Sequence, residues 1–153
     1  MQSYGPTVLR ACVGAVFIAH GAQKLLGMWG GPGLNGTTAM LTSLGLPYPG
    51  PLAIVLALTE FGGGILLVLG GLTRWVALAL AVVMGVAIWK VHYTNGFFLT
   101  AQPGRGGGLE FAMVLLGALV CLMLTGAGAL SIEHRRSQSA EAAARGRARA
   151  RKV

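Results

Sequence analysis

The chain has no aspartate and only four glutamates, Glu60, Glu110, Glu133 and Glu141, in 153 residues. That scarcity excludes an acidic calcium-binding loop and a paired-aspartate catalytic centre, each of which needs several carboxylates close together. The two cysteines, Cys12 and Cys121, lie far apart with no CxxC pair. Vicinal thiol exchange is therefore excluded, and both read as buried spectator thiols. Charged residues are only 10% of the chain, too few to coat a soluble surface. There is no GxSxG elbow, phosphate-cradling loop or zinc spacing, and the glycine-rich run 104–108 follows a Pro-Gly turn rather than a strand.

Apolar residues are abundant instead, at 54% of the chain with a mean hydropathy of +0.69. Four apolar stretches, at 8–28, 52–72, 75–93 and 109–130, are each close to the ~20 residues a helix needs to cross ~30 Å of hydrocarbon. The expected fold is all-α, an integral membrane four-helix bundle. A cleaved signal peptide over the first stretch is disfavoured, because His20 interrupts its core and cleavage would remove one of the four spans.

The net charge of +8 is lopsided: residues 135–153 carry seven Lys or Arg against one Glu, and residues 1–134 carry five against three. Such a tail beside an apolar body reads as a topology signal with anionic lipid headgroups as its partner, not as a specific nucleic-acid site. Arg10, Arg74 and the tail fall on one side of the spans, and Lys24, Lys90 and Arg105 on the other. Both termini are then expected in the cytoplasm, with a long outer loop (29–51) between helices one and two and a shorter one at 94–108. The division is a transmembrane domain at 1–134 and a basic, disordered tail at 135–153.

Trp29, Tyr48, Trp89, Tyr93, Phe97 and Phe98 form the expected outer aromatic belt. Within the long loop, residues 37–44 are amphipathic, and Asn35 is placed to cap a short helix there. The short connection at Thr73-Arg74 makes helices two and three antiparallel neighbours. Small residues should let the helices approach, along Ala11, Ala15 and Ala19 on helix one and Gly117, Cys121 and Thr125 on helix four. They also leave room for a homo-oligomer.

Polar groups inside a span are costly unless paired or wetted, so their placement is informative. His20, Gln23 and Lys24 lie within one turn of helix one, with His20 and Lys24 four apart on one face. Counting inward puts Glu60 at about the same ~12 Å depth as His20. Lys90 and His92 end helix three, and Glu110 opens helix four. Two readings stand. Either Glu60 pairs with Lys24 or Lys90, and Glu110 with Lys90 or His92, simply to knit the bundle, or the seven groups form an outer-leaflet pocket for a small polar or quinone-like headgroup. In the second reading Glu60 and His20 are the catalytic candidates, and His20, Gln23, Lys24, Glu60, Lys90, His92 and Glu110 the binding ones. A bis-histidine haem on His20 and His92 is disfavoured by their different depths, no metal site is expected, and no flavin or iron-sulfur motif is present.

Taken in order, several pieces resemble the DoxX family of small bacterial membrane proteins: Arg10, then His20-Gly21-Ala22-Gln23-Lys24 and Gly27, then Glu60 with Gly63-Gly64 and Gly70-Gly71-Leu72-Thr73-Arg74. Met84, Ala87, Asn95-Gly96-Phe97-Phe98 and Leu109-Glu110-Phe111 complete the set. The family is named after a subunit of a thiosulfate:quinone oxidoreductase. Membership implies a four-helix membrane fold, often with a soluble oxidoreductase or redox-defence partner, and its broader similarity to membrane domains that handle vitamin K-like quinones favours the quinone reading. The alternatives are a non-catalytic anchor or assembly factor for a soluble redox partner, and a small-anion or weak-acid permease.

Overall fold

The structure, a computed structural model, describes residues 4–99 and 107–150; Arg105, part of the outer charge set, lies outside them. Helix α1 (Gly5–Leu26) opens with Pro6 in its first turn, where the missing N–H costs nothing, and stops at Gly27 with φ 68°. Helix α2 (Gly33–Ser43) follows a short turn. Helix α3 (Pro49–Leu69) again starts on proline and stops on a left-handed glycine, Gly70. Helix α4 (Thr73–Ala87) runs on through a π-helical turn at Ile88–His92 and a 3-10 turn at Tyr93–Asn95. Helices α5 (Leu109–Thr125) and α6 (Ile132–Ala150) complete the order, and no strand occurs among the described residues.

Gly5–Leu26, Pro49–Leu69 and Thr73–Asn95 are long and apolar enough to cross a membrane, and α5 is a shorter apolar helix. Helix α1 packs mainly on α3 and α4 on α5, while α3–α4 and α1–α5 contacts close the ring. Val13 and Phe17 of α1, Leu67 of α3, Leu80 and Met84 of α4 and Leu115, Leu119 and Leu122 of α5 meet at its centre.

In lipid the hydrophobic effect does not drive helices together, so close backbone approach must. The approach is made by Gly14 against Gly64 and by Gly21 against Phe61, where an added Cβ would overlap the facing backbone. Gly21→Ala is therefore expected to lower stability by about 1–3 kcal/mol, visible as a lower Tm in detergent. An unchanged Tm would show that the α1–α3 contact does not need the glycine.

Several expectations are corrected. The alanine stripe is not the packing face: Ala11 and Ala15 are exposed, as are Gly117, Cys121 and Thr125 of α5. Cys12 and Cys121 are likewise exposed thiols, not buried ones. Both faces of a lipid-embedded helix are apolar, so small residues mark close approach only where a neighbour stands. Asn35 lies inside α2 and does not cap it; the N-cap position is Pro32. The fourth apolar stretch stops being helical at Thr125, because Gly126 and Gly128 take positive φ. The turn between α3 and α4 is Gly70 to Leu72, and Thr73-Arg74 already belong to α4.

The tail expected to be disordered is helical through Ala150, and α6 straddles the anticipated 134/135 boundary. Alanine and arginine are strong helix formers. The helix also has a proper start, since the Ser131 hydroxyl accepts from the N–H of His134 at 3.0 Å.

Candidate functional site

Antiparallel packing of α1 on α3 sets which polar groups meet. Lys24, in the last turn of α1, places Nζ 2.5 Å from Oε2 of Glu60. Glu60 is only 5% exposed and lies about eleven residues beyond Pro49, roughly 16 Å along α3. Burial at that depth leaves the Glu60 carboxylate dependent on the Lys24 ammonium that reaches it from the end of α1. Helix α2 packs on the start of α3 and the end of α1, burying Thr37 and Leu41, so it covers this end of the pair of helices. His20, one turn below Lys24, is exposed on α1 yet close enough to feel both the Lys24 and Glu60 charges. Gln23 is half-buried, and Gly31 closes directly on its backbone.

The other expected pocket groups form a separate local network where α4 ends and α5 begins. Nδ1 of His92 donates to the carbonyl of Gly107 at 2.8 Å. Glu110 accepts through Oε1 from the N–H of Leu99 at 2.6 Å, not from Lys90 or His92. The ammonium of Lys90 sits 4.4 Å from the ring centroid of Trp89, a cation–π contact. The backbone N–H groups of Leu109 and Glu110 donate to the carbonyls of Gly96 and Phe97, folding this connection over the start of α5. The structure thus brings His20, Lys24 and Glu60 together, and gives Lys90, His92 and Glu110 contacts of their own. Among the described residues no three His, Cys or Glu converge as metal ligands.

The opposite end holds a group that sequence reasoning treated only as a topology mark. Arg10 is 2% exposed, and its guanidinium donates to five carbonyls. Nε reaches Ala127 at 3.0 Å, one terminal nitrogen reaches Leu67 at 3.1 Å and Val68, and the other reaches Ala129 at 3.3 Å and Leu130 at 2.6 Å. All five N–H donors are used, so one side chain binds α1 to the end of α3 and to the irregular segment after α5. The Thr7 hydroxyl adds a 2.5 Å bond to Ala129. Beside it, Glu133 accepts the N–H of Thr73 at 2.5 Å, placing a carboxylate at the N-terminus of α4. The signal available in sequence was an arginine within the first apolar stretch, together with Gly126 and Gly128 near the end of the fourth.

An all-helical bundle with long apolar helices defines a multi-pass membrane protein, and this one carries a lysine–glutamate pair between two of its spans. The chain belongs to the DoxX family, whose model matches residues 5–93. It is 31% identical over 131 residues to "Inner membrane protein YphA" of Escherichia coli (strain K12), covering 84% of this chain and 87% of that protein. It is 33% identical over 129 residues to "Putative oxidoreductase CatD" of Bacillus subtilis (strain 168), covering 84% of each. An uncharacterized protein of Haemophilus influenzae is 30% identical over 142 residues, covering 88% of this chain and 95% of that protein. No solved structure matches.

Proposed function

We propose that this chain is the quinone-binding membrane component of a redox system in the bacterial inner membrane, crossing it four times with both termini in the cytoplasm. The names of the Escherichia coli and Bacillus subtilis relatives support the membrane and the oxidoreductase parts of this reading. The clustering of Arg10, Arg74, Arg135 and Arg136 at the end opposite Lys24 supports the orientation. The observation that carries the reading is an exposed His20 one helical turn from Lys24, whose ammonium meets the buried Glu60 carboxylate.

A lipid-soluble quinone moving sideways through the bilayer meets His20 first. Taking two electrons and two protons turns the quinone into a quinol. The electrons come from a partner oxidoreductase or a small reductant, because this chain has no redox motif of its own. His20 donates to a quinone oxygen, Lys24 steadies the negative charge that develops there, and Glu60 returns protons from the interior side. Gln23 lines the same turn, while Lys90, His92 and Glu110 stay in their own network where α4 ends and α5 begins.

Because His20 is exposed, replacing it leaves the fold standing. His20→Ala is expected to weaken binding of a quinone analogue roughly tenfold, the loss of one hydrogen bond, with an unchanged Tm. Equal affinity in both proteins would remove the redox pocket and leave a non-catalytic anchor.

A further inference from the structure

We propose that α6 is an electrostatic arm that lies along anionic lipid headgroups at the Arg10 end of the bundle. Its origin is fixed. The Glu133 carboxylate holds the first turn of α4, the Glu133 N–H donates to Gly70 at 3.2 Å, and Arg10 grips the carbonyls just before it. Leu72, Trp75 and Leu130 flank this anchor and are 63%, 71% and 70% exposed. Large apolar side chains at that level call for lipid, so α6 leaves the bundle at the membrane boundary.

The helix itself cannot sink into the acyl layer. After Ile132 its apolar residues are alanines alone, and it has no face of large hydrophobic side chains. It is polar on all sides, and the described side chains from Arg135 onward are exposed. Its described cations stand in two groups, Arg135-Arg136 near the anchor and Arg145 and Arg147 at the far end, with Glu141 between them. The Glu133 charge is already engaged on α4. A basic group gains from an anionic surface only within about a Debye length, ~10 Å at 0.1 M salt. The far group lies roughly 20 Å from Ser131 along the helix axis. An upright arm would leave that group beyond reach, whereas an arm lying on the surface brings both groups into the field. Charge complementarity therefore selects the anionic headgroup plane as occupant and sets the arm's orientation.

The test is hydrogen exchange of the 135–147 amides in the full chain, reconstituted in phosphatidylcholine nanodiscs with and without phosphatidylglycerol. Exchange is expected to be roughly tenfold slower in the anionic discs. The slowing should disappear in high salt and in the quadruple variant Arg135→Gln, Arg136→Gln, Arg145→Gln, Arg147→Gln. Equal exchange in the two discs, slowing that survives in the variant, or slowing that appears only when RNA or an acidic protein is added would each overturn the proposal. The quadruple variant should still bind quinone analogues like the parent, so failure of the arm and failure of the quinone reading are separable.

Discussion

Arg10→Ala should be the most damaging single substitution in the chain. It leaves the carbonyls of Leu67, Val68, Ala127, Ala129 and Leu130, buried or part-buried, without their donor. An unsatisfied buried polar group costs about 1–3 kcal/mol. Relaxation and partial rewetting reduce the sum, but a loss of at least about 4 kcal/mol is expected, a large share of the stability of a domain this size. Fluorescence-detected size exclusion should show little monodisperse protein. Arg10→Lys keeps the charge but brings only three donors, so it should recover part of the yield, whereas Arg10→Met should recover none. If Arg10→Met accumulates and melts like the parent, the five-carbonyl lock does not hold the bundle.

The second large effect concerns the deep ion pair. Glu60→Gln strands the Lys24 ammonium, and Lys24→Met strands the Glu60 carboxylate, because the two touch at 2.5 Å and Glu60 is buried. Each single change is expected to cost about 3–5 kcal/mol. The double variant Lys24→Met, Glu60→Met removes both charges and replaces them with apolar bulk, so its stability should return to near that of the parent. Thermal melts of the four proteins give the coupling directly. A stable double variant that no longer binds a quinone analogue is the outcome expected of a functional site. If it binds the analogue as tightly as the parent, the pair serves folding alone. If the single variants melt like the parent, the pair is not interdependent.

Much of the architecture could be read from local sequence. The apolar stretches, the prolines that open α1 and α3 and the glycines that close them are short-range features, and they place the spans to within a few residues. The ends were less legible. Hydropathy does not distinguish residues 126–130 from the apolar helix before them; they unwind where Gly126 and Gly128 permit it and where Arg10 takes up the freed carbonyls. Leu72 and Leu130 sit in the left-handed region, with φ 51° and 54°, which leucine alone would not choose. The surrounding lock imposes that conformation.

Composition and periodicity determined that this protein lives in a bilayer, that it is helical, and that a few charges sit too deep to be incidental, because each follows from the free energy of moving a short segment out of water. They narrowed the partner of Glu60 to two lysines but could not choose. The antiparallel register of α1 on α3 chose Lys24, and it also turned the glycine face inward and the alanine stripe outward. Only the assembled bundle could decide these points: in lipid every side of a span is apolar, so inside and outside are defined by neighbouring helices and not by hydropathy.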